Sequence, residues 1–580
     1  MKKILILFGV CVSLALIGYF AFTWWLDQSL EDRLASWVQE NVDQGLDLSI
    51  EDMDYEVASQ RVICRGIELV RNDVDYPDSE MPIVSIRVGE LAFQEVDLSR
   101  WLDERTLAFQ ELAIIGPEVV WEVPHTQGEP IEKGNADSTV STLQAVEIHR
   151  ISIREGKVRL IDPDRHYTWL YAQLWDLEVA DLHLDSMALS GEKGFFSDLA
   201  MLVDTVAYLT PDSLMWISAK DFQVIPKQDV THLASVYARS TLPPAEVPRF
   251  AGHQSTWIAV EAVNIEAIGL WSGLADPDSG IHVQKLQVGK LTVETQRDNK
   301  HYRENPAFQP LPAGMVRSIP FLLTVDTVSL RTGSIHAVTL APKADKPTEV
   351  WLDQMRANIY HLSNDPENWK RQRDMIWELS ARFQKTGLMQ AKAHFRLDRP
   401  GDLFTSSGSL KRMPLTGFNS LTGPTLGLNI SQGYLNGMSF RITGNDTRSR
   451  GSVDMDYQNL KLGSDPTPDA AKDGKVKNFL GNLFLKNSKS ASDEFYKSGQ
   501  IAYLRNKHRQ IFHFYVQSLV SGLVSNLGIP IKSNDPTFVP DRPIPDAHQV
   551  EKSIRKAKKK AERQKRKEAR RQRKESQKEG

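Results

Sequence analysis

Two cysteines in 580 residues are too few to staple the chain. Cys11 lies inside an apolar run at the N-terminus, which leaves Cys64 alone in the remainder. A disulfide framework within the chain and a cysteine-based zinc site are both excluded. Histidine offers no alternative. The 14 present are scattered without an HxH or HExxH spacing, and His508 and His513 stand five apart, a poor pairing on a helix. No G-x-S-x-G elbow, P-loop or dinucleotide fingerprint appears, and glycine pieces such as Leu435-Asn-Gly437 read as turns. Asp52 and Asp54, Asp162 and Asp164, and Asp454 and Asp456 pair at i and i+2, one face of a strand. Two carboxylates fall well short of the ~6–8 oxygens a hard cation takes. The expectation is a protein with no catalytic, cofactor-binding or metal-binding residues.

What is present begins with an anchor. After Met1, Lys2 and Lys3, residues 4–25 form an apolar run without a charge. About 20 such residues span a hydrocarbon core of ~30 Å. Lysines precede the run, and Asp27, Glu31 and Asp32 follow it. The positive-inside rule then keeps the N-terminus in the cytoplasm and exports the rest. A cleaved signal peptide is disfavoured, because the run is long and ends in Phe-Thr-Trp-Trp rather than small residues. Cys11 follows Val10, not the Gly or Ala that precedes a lipidated cysteine.

The net charge of −4 conceals an asymmetry. Residues 551–580 carry a net +10 and the preceding 550 a net −14, an acidic body with a basic interaction tail. The tail lacks interleaved aromatics, so nucleic acid is not an expected partner. An anionic surface is.

Between anchor and tail the dominant period is two. Residues 84–96 alternate, and within 383–397 Met389, Ala391, Ala393, Phe395 and Leu397 alternate with polar residues. Helical patterns are few: 29–41, a short one over 231–239, and 501–527. The spacing predicts a mainly β protein, a transmembrane helix followed by a long antiparallel curled sheet of about 30 strands, on the order of 140 Å long at ~4.8 Å per strand. The expected parts are an anchor over 1–26, an opening module over 27–125 and a repeated meander over 126–462. A linker (463–498), a C-terminal helix region (499–529), a Pro-rich linker (530–550) and the basic tail (551–580) follow.

A weak repeat runs through the meander in the form apolar-x-apolar-x-x-Gly-x-apolar. Its copies are Ile151, Ile153, Gly156, Val158; Val328, Leu330, Gly333, Ile335; and Leu428, Ile430, Gly433, Leu435. Each reads as a strand, a tight turn at glycine and a returning strand. So many strands either stack as closed sandwiches or curl into a trough with one apolar face open. An open face beside a bilayer would suit acyl chains, and its candidate residues are the apolar members of the three copies.

In 501–527, Phe512, Val516, Leu519, Leu523 and Leu527 recur at helical spacing as an amphipathic face. It either plugs the end of the sheet or touches a membrane or partner. His513, Gln517, Ser518, Ser521, Ser525 and Asn526 make a poor lipid-facing surface for a spanning helix.

Several blocks resemble the AsmA-like family, including its DUF748 branch. They are the anchor, residues 49–55 and Gly66-Ile67-Glu68-Leu69, then Leu98-Ser-Arg-Trp-Leu102 and Leu112 through Trp121. Residues 451–462 are similar to the closing block of shorter, Bacteroidetes-type members. The resemblance implies a β-groove protein of the inner membrane, single-pass, with its bulk in the periplasm of a Gram-negative bacterium. It would support phospholipid transfer or outer-membrane biogenesis without catalysis, with envelope or outer-membrane proteins as partners. A chain this short suits a partial groove, or one working with partners. The alternative is an envelope scaffold of closed sandwiches that recruits partners through its C-terminal helix and tail.

Overall fold

Alternation of apolar and polar residues builds a single sheet in the computed structural model. The structure describes residues 46–56, 61–71, 84–96, 106–122, 145–162, 165–184, 198–225, 228–270, 280–300, 308–340, 346–426, 429–463, 488–490, 496–509 and 511–526. The expected anchor, the helical pattern over 29–41, most of the 463–498 linker, the Pro-rich linker and the tail lie outside them.

The strands β1 (Leu46–Ser49) and β2 (Asp52–Glu56) lie end to end along β3 (Arg61–Arg71). Next comes β4 (Val84–Val96), along which β5 (Thr106–Ile115) and β6 (Glu118–Glu122) again lie end to end. The following strand, β7 (Ala145–Asp162), runs parallel to β5 and β6. From it an antiparallel meander continues through β8 (Tyr167–Leu184), β9 (Asp198–Leu209), β10 (Met215–Ile225), β11 (Val230–Ser240), β12 (Thr256–Ile268) and β13 (Ile281–Asp298). A second parallel step joins β13 to β14 (Leu323–Leu340). The last meander holds β15 (Thr348–Ser363), β16 (Asp374–Phe383), β17 (Gly387–Arg396), β18 (Phe404–Pro414), β19 (Ile430–Gly444), β20 (Arg448–Leu462) and β21 (Gly499–Leu504).

Among the described residues, five α-helices sit between or after strands: α1 (Val247–Ala251), α2 (Pro312–Arg317), α3 (Pro366–Arg371), α4 (Asn419–Leu426) and α5 (Ile511–Asn526). The sheet is mixed rather than purely antiparallel. Parallel neighbours cannot be joined by a hairpin, so chain segments 123–144 and 299–322 are long, the second carrying α2. The strands number 21, not about 30, because many are 11 to 18 residues long. With β1/β2 and β5/β6 each sharing a place, they fill nineteen ladder positions, on the order of 85 Å along the sheet. All described strands belong to this one curled sheet.

The repeat is real in its first two copies but differs in kind from the expected hairpin. Gly156 and Gly333 lie within β7 and β14, the 18-residue strands that open the two meanders. Each sits at a register shift and faces a large side chain, Trp175 or Met355. The partner strands carry matching left-handed residues, Leu174 and Asp181 on β8 and Gln354 and His361 on β15. These are paired bulges in continuous strands. The third copy lies in β19, where Gly433 has φ 132° and the register shifts nearby; it opens no meander.

One bulge belongs to a line. Leu174, Asp204, Asp221, Ala234, Asn264 and Gly289 are each passed over in the register of β8 to β13, strand after strand. Aligned bulges bend and twist the strands together, which produces curl along that line. The same feature corrects the helix expected over 231–239, which is β11. The extra residue places Leu233 and Val236 three apart on one face, a spacing that imitates a helix turn.

At Gly156 a Cβ would fall 2.2 Å from the Trp175 ring. Gly156→Ala is therefore expected to cost about 1–3 kcal/mol through overpacking. Leu174→Gly, which relieves a left-handed φ costing about 1–2 kcal/mol, should be neutral or stabilising. Urea unfolding midpoints decide; an unchanged midpoint for Gly156→Ala would refute the packed bulge.

Candidate functional site

Residues directly opposite each other across a ladder share a face, so the register defines which side chains line each side of the sheet. One row runs through every ladder position. It starts Met53–Cys64–Leu91–Ile114–Ile153–Leu177. It continues Met201–Val224–Thr231–Ala267–Leu286–Val328. It ends Ile359–Trp377–Ala393–Ser406–Ile442–Gly451–Ile501. Only Thr231, Ser406 and Gly451 interrupt its apolar character. Across the crease, five residues from the first row instead of four over β7 to β14 because each of those strands carries one extra residue there, a second row follows the same face: Val119–Val158–Ala172–Val206–Ala219–Val236, then Ala262–Leu291–Gly333–Met355. The bulge line thus keeps both rows on one side.

The opposite face is polar and largely charge-paired. Arg65 bridges Asp52 and Asp54 at 2.9 and 2.8 Å, Arg87 meets Glu68 at 2.8 Å, Arg159 pairs with Glu118, and Lys290 with Glu261 at 3.5 Å. Members of two of the aspartate motifs have partners in the structure. Asp52 and Asp54 hold a guanidinium, Asp456 accepts from Asn436 at 2.8 Å, and Asp454 accepts from Ser498. Among the described residues no three His, Cys, Asp or Glu side chains gather as for a metal ion.

Burial along the first row is uneven. Cys64, Leu91 and Ile114 are buried, and so are Ile442 and Ile501, whereas Ile153, Leu177, Met201, Val224, Leu286, Val328, Ile359 and Trp377 remain half-buried. At the C-terminal end the cover is visible. The α2 residues Leu311, Ala313 and Val316 and the α5 residue Phe514 enter a core with Met375, Phe395, Phe404, Phe440 and Val453.

The helix α5 docks through its polar side, which the sequence pattern did not anticipate. Its buried residues are Phe514, Ser518, Gly522 and Asn526, one position in four. Gly522 is required, since a Cβ there would fall 2.5 Å from Val453 and 2.7 Å from Ile501. Ser518 bonds Ser449 at 2.7 Å. Ser521 and Ser525 accept from the backbone N–H groups of Ala502 and Gln500 at 3.2 and 3.0 Å. Strand β21 is the last of the sheet, and these hydroxyls satisfy donors on its open edge. The polar groups that suit lipid poorly therefore seal an edge. Helix and strand also divide the stretch read as one helix over 501–527: Gly499–Leu504 is β21.

The candidate groove residues fall as follows. Ile153 and Val328 lie in the first row and Val158 in the second; Leu330 and Ile335 lie on the same face, opposite Val288 and Val293. Ile151, opposite Leu112 and Val179, and Leu435, opposite Met413 and Tyr457, are fully buried and unavailable to a ligand as they stand. Ile430 packs beside Leu435 in a satellite core. Leu428 lies outside the described residues. On α5, Leu519 and Leu523 pack against the core, Phe512 is exposed, Val516 is half-buried, and Leu527 lies outside the described residues. Leu177, Met201, Leu286, Ile359 and Trp377 were missed, although each stands in an alternating stretch. No described helix is long and apolar enough to cross a membrane.

These features define a single-sheet β protein with one continuous apolar face, a paired polar face and a helix-sealed end. No protein-family model matches the chain, and no curated protein matches it.

Two outcomes follow. Burial pushes the Cys64 thiol up to about 11 from 9.0. In the folded chain it should resist iodoacetamide at pH 8 while unfolded chain reacts, as peptide mapping would show; because the unfolded thiol ionises first, rising pH between about 9 and 11 favours unfolding. The Ser521→Ala/Ser525→Ala double variant should lose about 1–3 kcal/mol and speed amide exchange at Gln500 and Ala502. Unchanged exchange at both amides would rule out the edge seal.

Proposed function

We propose that the chain is a lipid-handling protein of the AsmA-like type, in which the apolar face of the sheet shields acyl chains. The observation that carries this is the row from Met53 to Ile501, apolar at all of its nineteen positions but Thr231, Ser406 and Gly451, and half-buried from Ile153 to Trp377 apart from Thr231 and Ala267. Such a face has no use for water. Each methylene it removes from water contributes about 0.8 kcal/mol, so an acyl chain is a favourable occupant. The block resemblances at both ends of the chain and the apolar run over 4–25 support the same reading, with the body beside the inner membrane on its periplasmic side as part of the proposal.

In this reading the protein performs no chemistry. It supports phospholipid transfer or outer-membrane biogenesis by lowering the cost of moving acyl chains through water. The buried core under α2 and α5 limits the open stretch to the middle of the sheet, so the groove is partial and hands its cargo to something else. The basic tail provides an anionic surface with a place to bind.

Photo-crosslinkable residues at Ile153, Leu177 and Leu286 should capture phospholipid in cells, detected by mass spectrometry of the adducts. The same residues at Gln173 and Lys290, on the polar face, should not. Protein adducts alone, or equal lipid capture on both faces, would overturn the reading.

A further inference from the structure

The polar face is not uniform. Over β15 to β20 it is concave, with a depression of about 630 Å³. Two ladder rows line it. One is Asn358–Glu378–Lys392–Ser407–Arg441, and the other Arg356–Ser380–Gln390–Ser409–Ser439–Asp454. Elsewhere on this face some cations are matched, as in Arg65 with Asp52 and Asp54, or Arg150 with Glu178, while Lys157, Lys220, Lys285 and Arg239 have no ion pair among the described residues. In the depression, Lys392 is matched to Glu378 at 2.9 Å and Asp454 accepts from Ser498. The guanidinium groups of Arg356 and Arg441, by contrast, have no ion pair or hydrogen bond among the described residues. Nor do the hydroxyls of Ser380, Ser407, Ser409 and Ser439.

We propose that this depression is a second binding site, for an anionic oligosaccharide. Arg356 on β15 and Arg441 on β19 stand four ladder steps apart, about 19 Å along the sheet. That span exceeds a lone phosphate and suits an oligomer with acidic groups at both ends. A guanidinium presents a planar fork that takes a phosphate, sulfate or carboxylate through two hydrogen bonds. The serine hydroxyls and the amides of Asn358 and Gln390 both donate and accept, the property needed to read sugar hydroxyls between the charges. Phe440, the aromatic residue in the lining, is buried, so the charged and hydroxyl groups are what a ligand meets. The site is on the face opposite the apolar row and does not rest on the lipid reading.

The test uses the full chain with all 15 Lys and Arg residues of 551–580 replaced by Gln, which removes the tail as a competing polycation. A heparin-derived sulfated tetrasaccharide and neutral maltotetraose are titrated calorimetrically. The sulfated probe should bind and maltotetraose should not. Arg356→Gln/Arg441→Gln should weaken the sulfated probe at least tenfold, Ser407→Ala/Ser409→Ala several-fold, and the paired control Arg150→Gln not at all. Circular dichroism should be unchanged, as these side chains lie on the surface. Absence of binding, or equal binding by the double arginine variant, would overturn the proposal.

Discussion

A strand sends successive side chains to opposite faces, and the whole molecule depends on keeping that phase through nineteen ladder positions. One slip anywhere would bring polar residues onto the apolar face and break the row from Met53 to Ile501. The bulges are what make the phase compatible with curvature. At Leu174, Asp221 and Asn264 the chain adopts left-handed φ in alternate strands, while Asp204, Ala234 and Gly289 are passed over in the strands between. Each strand gains one residue at the crease, so its apolar positions return to the same side three residues on.

Much of this was legible in the residues. The alternation over 84–96 and 387–396 is strand, and the correspondence between the stretches around Gly156 and Gly333 identified the opening strands of two meanders. The glycines were legible, but their role was not. A glycine flanked by alternating residues fits a turn and a bulge equally well, and only the 18-residue strand around it separates the two. The 231–239 stretch misled for a related reason, since a bulge converts a spacing of two into three. On α5, apolar periodicity pointed to Phe512, Val516, Leu519 and Leu523; Leu519 and Leu523 do pack against the core and Phe512 is exposed, while Ser518, Gly522 and Asn526 make the closest approach. Small and polar residues pack there because a backbone edge needs hydrogen-bond partners and close approach, neither of which an apolar pattern reports.

The two ends and two faces of the sheet have different tasks. At the C-terminal end, α2 and α5 fill the apolar face and serines close the last strand, so growth of the sheet by another chain is blocked there. In the middle, the same face is left half-buried, the condition under which an apolar surface binds rather than merely packs. The reverse face carries ion pairs along the sheet, and over β15 to β20 two arginines without partners among the described residues line a depression.

The central claim is that the middle of the first row holds acyl chains. Phospholipid content of the purified full chain, quantified by mass spectrometry after mild detergent extraction, tests it most directly when Leu286→Glu is compared with the parent. The account predicts at least a fivefold loss of bound phospholipid with far-ultraviolet circular dichroism unchanged. A folded Leu286→Glu variant that retains the parent's lipid content would contradict it.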